Sequence, residues 1–424
     1  METKVVKLEN TNLHILKNDN FKTTTIEAKF RINTKKEEVP VMELLSNALV
    51  YTTKTYSTKK DYINKCKDLY DVITSCYLSE DGRRESITLR LSFLNDKYSE
   101  EGLLEEVIKF AHEIIYNPNI TDGKYDEETF NAVLVSKKAY LETLKEDKTR
   151  YAAKRLFEIM NEDDPEFISV LSKENYEIVA NTTRESLAST YNNLLNNSEL
   201  DILIIGDISI DETEKMFKKY FKEKHGIKYT KDPNKYYDEV KKANTIFESD
   251  KSSQAKLNIA YNIPKDLSSD DKLITLQMLN MMLGSSPNSL FFKNIREKHS
   301  ICYYINTMML YFDNLIVVTS GISKENYDKM LKLIKKEIKK VIDKDYPDSL
   351  LEEVKKNFLS DIKSTKDSEI AMLRDYYNNK IDGFRLFDDR VDLIDKVTKD
   401  DIKEMASKLK INTIYMFGGD SKND

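Results

Sequence analysis

Arg296 and Tyr303 are the side chains whose types and spacing best suit chemistry in this sequence. A guanidinium is a rigid fork of donors and a phenol is a single hydroxyl, so the two together suit one oxygen-rich ligand. Their stretch, Met281 to Ile305, carries turn, helix and strand signals in close order. Gly284, Pro287 and Asn288 punctuate a turn. A short helix is then expected over Ser289 to Lys298, with Leu290, Phe291 and Ile295 on one face, and a strand from about Ile301. Arg296 falls at the end of that helix and Tyr303 on the strand. The competing local reading is structural: Arg296 salt-bridges a neighbour and Tyr303 fills the edge of a core.

Composition narrows the classes. The chain has 424 residues, enough for about two to four domains with ample core. Apolar residues make up 40 % and charged residues 33 %, and a net charge of -6 with both signs interspersed steers it toward neither nucleic acid nor an anionic membrane. Neither partner is expected. No apolar run follows the charged residues Met1 to Lys7 and no long apolar window occurs elsewhere, which points to a cytoplasmic protein. Cys66, Cys76 and Cys302 lack metal spacing and read as free thiols. His14, His112, His225 and His299 are too scattered for two to share one turn of helix, so a zinc site rich in histidine is not expected from this chain alone.

Taken in order, the chain repeats itself. Alternation predicts strands between Leu13 and Ile32, then a helix from Pro40 to Tyr51 with Val41, Leu44, Leu45, Ala48 and Leu49 on one stripe. Strands at 72–78 and 86–94 flank Glu80-Asp-Gly82, and a broad apolar face predicts a helix over 101–115. Helix is expected over Glu127 to Met160 with a break at Asp147-Lys-Thr149. After a charged passage, strands and helices recur from Asn244 onward in the same sequence. The ends overlay best: Thr183-Arg-Glu-Ser-Leu187 and Thr398-Lys-Asp-Asp-Ile402 each lead through a helix and strand into a glycine turn, Ile204-Ile-Gly-Asp207 and Met416-Phe-Gly-Gly-Asp420. The predicted architecture is α+β, with two homologous halves at 1–212 and 243–424, each a mostly antiparallel sheet backed by helices, and a charged linker at 213–242 that serves as hinge or plain connector.

This repeat, together with Leu283-Gly-Ser-Ser-Pro-Asn-Ser-Leu-Phe-Phe-Lys-Asn-Ile-Arg-Glu-Lys298, Ile301-Cys-Tyr303 and Ser253-Gln-Ala-Lys-Leu257, resembles the insulinase and pitrilysin superfamily of inverted-zinc metallopeptidases. The resemblance runs nearly end to end. It implies halves facing each other as a clamshell, with Arg296 and Tyr303 offered to a peptide carbonyl near the zinc. The superfamily's zinc motif is His-x-x-Glu-His on a helix. Its place here falls on Glu43-Leu-Leu-Ser46-Asn47, so Glu43 and Asn47 stand where the imidazoles belong and Ser46 where the general base belongs. A lone carboxylate and an amide suit zinc poorly, and a serine has no useful basicity. The third ligand of the resemblance would lie between Lys138 and Glu146, where Glu142 is near but an apolar or aromatic residue occupies the matching place.

The resemblance is strongest to bacterial non-peptidase homologues that occur beside a zinc-bearing paralogue. It implies a catalytically incomplete subunit of a heterodimeric peptidase, with no zinc and no peptidase activity in this chain alone. The zinc would reside in the paralogous partner, with Arg296 and Tyr303 orienting peptide. The alternative is a non-enzymatic peptide-binding or scaffold protein of the same fold. A hydrolase built on Cys302 lacks a base, since His299 is three residues away across a turn.

Overall fold

The computed structural model describes residues 1–419 apart from 10, 225, 227, 230 and 239, so His225 and the turn residue Asp420 lie outside the described residues. The chain divides into two compact units, and each draws on a piece of the other's sequence. Unit 1 comprises Met1–Thr143, Asp163–Asp232 and Asp367–Arg374; unit 2 comprises Leu144–Glu162, Pro233–Lys366 and Asp375–Asp424.

Unit 1 is built on a six-stranded sheet. Its strands are β1 (Glu2–Leu8), β2 (Thr11–Lys17), β3 (Thr23–Ile32), β4 (Ile73–Asp81), β5 (Arg84–Leu94) and, after a two-stranded ribbon of β6 (Ile120–Thr121) and β7 (Lys124–Tyr125), β8 (Ser198–Gly206). They lie in the order β1-β2-β8-β3-β5-β4. Only β2 and β8 pair in parallel. Ile26, Ala28, Phe30 and Ile32 point from β3 into a core closed by the helices Val39–Leu49, Leu103–Tyr116 and Arg184–Asn197. The other face of β3 is polar because the strand period is two: Glu27 pairs with Arg90 at 2.6 Å, and Arg31 pairs with Asp201 at 2.8 Å and Glu199 at 3.1 Å.

Unit 2 repeats that plan. Its strands β9 (Asn244–Glu248), β10 (Ala255–Asn262), β11 (Cys302–Leu310), β12 (Leu315–Ile322) and β13 (Lys410–Phe417) lie in the order β11-β12-β10-β13-β9, with β9 and β13 the single parallel pair. Strand for strand this matches β4-β5-β3-β8-β2. The expected α+β class with mostly antiparallel sheets backed by helices is therefore what the chain adopts. The overlay of the two ends extends to side chains. Thr183 and Thr398 each begin a helix as N-cap, with Ser186 and Asp401 returning the bond in a capping box.

Two expectations are refined. The helical stretch from Glu127 to Met160 does break at Asp147, whose carboxylate accepts from Arg150 N at 3.0 Å to start a new helix, Lys148–Met160. That second helix belongs to unit 2, where Ala152 and Leu156 cover Ala260, Val317, Tyr415 and Phe417. The charged passage after 212 continues the helix Ile210–Tyr220, because Thr213 and Phe217, one turn apart, are buried on sheet 1. Capping by a threonine is worth about 1 kcal/mol. Thr398→Ala is expected to lower the stability of unit 2 by about that amount, measured from the midpoint of urea unfolding, with Thr398→Ser close to wild type.

Candidate functional site

The segment carrying Arg296 is shaped by close packing on one side. Helix Asp270–Asn280 passes into a π-helical turn, Met281–Ser285, and a second π-helical turn spans Phe292–Glu297. Gly284 lies where the first turn crosses β11: a Cβ there would stand 2.6 Å from Thr307 Cγ2 and 2.9 Å from Thr307 N. Thr307 Oγ1 also donates to Asn280 O at 3.0 Å, tying the helix end to the strand. Leu290, Phe291 and Ile295 are buried, as their common face predicted. Asn294 Nδ2 donates at 2.7 Å to Glu337, a buried carboxylate on the helix Tyr327–Ile342. Phe291, Ile295 and the Asn294–Glu337 bond anchor this turn, while Arg296 itself is exposed and stacks over the Phe292 ring at 4.7 Å.

Ser300, in the left-handed region at φ 51°, turns the chain from this segment into β11. β11 is an edge strand, and its register against β12 shifts between Cys302 and Tyr304. Tyr303 is the extra residue of that bulge, and a bulge re-aims its side chain. Tyr303 is 57 % exposed. Among the described residues no side chain hydrogen-bonds the Arg296 guanidinium or the Tyr303 phenol, so neither the salt bridge nor the core-edge placement of the local reading is present. The Arg296 guanidinium acts on the Cys302 thiol next to Tyr303. Burial nevertheless pushes that thiol up, against smaller opposing effects of Ser320 and Arg296, and it stays protonated and inert at neutral pH.

Glu43, Ser46 and Asn47 lie on the helix Val39–Leu49. Ser46 is buried, and its Oγ donates to Glu43 O at 2.8 Å; Asn47 is exposed, and its Nδ2 donates to the same carbonyl at 2.9 Å. Both side chains are thus turned back onto their own helix. The later helix Glu127–Thr143 brings Lys137 to Glu43, and the ammonium forms an ion pair with Glu43 Oε2. Glu142 is five residues further on, which a helix turns by about 140°, and it accepts from Tyr176 at 3.3 Å instead. Lys137 was missed in the sequence, although its spacing signals it: Phe130, Val133 and Lys137 continue one buried stripe.

Residues 181–358 match the family model described as "Peptidase M16 inactive domain". Over 412 residues the chain is 26 % identical to the "Probable inactive metalloprotease YmfF" of Bacillus subtilis (strain 168), covering 96 % of this chain and 95 % of that one. A conserved protein from Enterococcus faecalis V583 superposes with a TM-score of 0.89 at 25 % identity over the full length of both chains. The chain is thus similar, nearly end to end, to M16 peptidase homologues. A "peptidase M16 inactive domain" from Pseudomonas fluorescens shares the fold, with a TM-score of 0.78 at 13 % identity over the full length of both chains.

Given that similarity, the question is whether Glu43, Ser46, Asn47 and Lys137 suit zinc. They do not, because an ammonium repels a dication, and an amide and a neutral hydroxyl are weak zinc ligands beside imidazole, thiolate or carboxylate. Among the described residues no group of three His, Cys, Asp or Glu is placed to hold a metal ion. Breaking a fully buried ion pair costs about 3–5 kcal/mol. The Glu43 side chain keeps 37 % of its surface in solvent, so Glu43→Gln is expected to cost about half as much, checked by urea unfolding of the variant.

Proposed function

We propose that this chain is the zinc-lacking subunit of a two-chain M16 peptidase, in which Arg296 and Tyr303 hold the peptide for a zinc-bearing paralogue. The observation that carries the reading is the contrast around Arg296. The backbone is locked by Gly284, Thr307 and the Asn294–Glu337 bond, while the guanidinium and the Tyr303 phenol remain exposed with no side-chain hydrogen bond. Rigid support under unengaged donors is what a site for an external ligand requires. The chemistry fits a peptide carbonyl: the guanidinium offers paired donors and the phenol one more, directed to an oxygen that gains negative charge during hydrolysis. A zinc ion held by the partner would supply the activation of the hydrolytic water.

The degenerate positions support the same division of labour. Glu43, Ser46 and Asn47 cannot bind and activate water through zinc, whereas the donor pair in unit 2 is intact. The reading also places the complex in the cytoplasm, with peptide rather than nucleic acid or membrane as its ligand, in keeping with the mixed surface charge. No helix among the described residues is long and apolar enough to cross a membrane.

The test is reconstitution with the purified zinc-bearing paralogue from the same genome, using a library of fluorogenic peptides. Each chain alone should be inactive and the mixture active. Removing one donor to a developing oxyanion lowers turnover by about 10²–10³. Arg296→Ala and Tyr303→Phe should each lower kcat of the mixture by about that factor with unchanged melting temperature. Wild-type rates from both variants would overturn the assignment of the pair. An inactive mixture that still binds peptide would leave the non-enzymatic peptide-binding reading in its place.

A further inference from the structure

The degenerate motif in unit 1 has a feature that loss of zinc ligands alone does not require. Lys137 sits on the buried stripe of the helix Glu127–Thr143, after Phe130 and Val133, and its side chain is only 4 % exposed. A lysine almost never occupies such a position unless it is paired. Its partner is Glu43, at the place that the resemblance gives to the first zinc imidazole. The Tyr140 ring, 5.0 Å from the ammonium, adds a second electron-rich neighbour. The contact is ionic, closing without a hydrogen bond of regular geometry. Two helices that the metal motif would join through a dication are joined here through an ammonium.

We infer that the Lys137 ammonium takes the place of the metal, supplying the positive charge that links the helices Val39–Leu49 and Glu127–Thr143 and excluding a divalent cation from Glu43. This rests on reading Glu43, Ser46 and Asn47 as the former zinc motif, and it goes beyond that reading in naming what replaced the metal. Loss of zinc is then a substitution of one cation for another. Reverting the motif alone cannot restore the metal, because a zinc ion entering beside Glu43 would meet a buried like charge.

The experiment measures metal content of the full chain, isolated without any partner, after incubation with zinc sulfate and desalting. A variant carrying Glu43→His, Ser46→Glu and Asn47→His with Lys137 kept should retain no zinc. Adding Lys137→Glu to those three should give about one zinc per chain. Zinc retained at that level with Lys137 in place, or no zinc in a folded fourfold variant, would overturn the inference. Melting temperatures of single and double variants decide it if the fourfold variant does not fold. Lys137→Met combined with Glu43→Gln should melt above Glu43→Gln alone, since no unpaired charge is left buried; strictly additive losses would overturn the inference. These readouts involve neither the partner nor peptide. Failure here therefore leaves the rate loss of Arg296 and Tyr303 variants untouched, and failure of the two-chain peptidase leaves the metal result standing.

Discussion

Both units depend on one constraint of strand geometry: two parallel strands cannot be joined by a hairpin and need a crossover. In unit 1 the crossover from β2 to β8 spans residues 18–197, and in unit 2 that from β9 to β13 spans residues 249–409. Most of the helices and all the intervening antiparallel strands lie inside these connections. β8 and β13 then insert between strands already made, β8 between β2 and β3 and β13 between β9 and β10. Each sheet is completed by its last strand, which accounts for the heavily buried, β-branched character of Ile202, Ile204 and Ile205 and of Thr413 and Ile414.

The same plan ends in opposite side-chain arrangements in the two units. In unit 1 the first long helix after the strand β3 is Val39–Leu49, and there the side chains are satisfied internally: Ser46 and Asn47 on a backbone carbonyl, Glu43 on Lys137. In unit 2 the counterpart after β10 is Asp270–Asn280, which leads into the π-helical turns and leaves Arg296 and Tyr303 unsatisfied. Widened turns are uncommon and recur at functional sites. Here they bring a glycine against Thr307 and deliver the guanidinium to the end of an edge strand whose bulge presents the phenol.

Much of this was legible in the sequence because the signals are local. Thr183 and Thr398 announce capping boxes, Asp147 announces a helix start, and Leu290, Phe291 and Ile295 share a face at helical spacing. β1 was not read, because as an edge strand it exposes most of its seven residues and shows little alternation. Where the chain spends its helices was not legible either. Helix Lys148–Met160 has an ordinary amphipathic pattern that says what it buries but not against which sheet. Lys137 was hidden because a lysine is read by default as solvated, and only the anion on another helix makes its burial tolerable.

The exchange of segments has a practical meaning for how the molecule can be cut. Residues 144–162 are encoded in the first half and packed in unit 2, and residues 367–374 are encoded in the second half and packed in unit 1, where Glu369 accepts from Thr23 and Thr25. A gene fragment ending at the midpoint would carry the apolar face of Ala152 and Leu156 with nothing to cover and would leave Thr23 and Thr25 without their carboxylate. The compact units do not coincide with the two halves of the sequence, and neither half is a self-contained piece of chain.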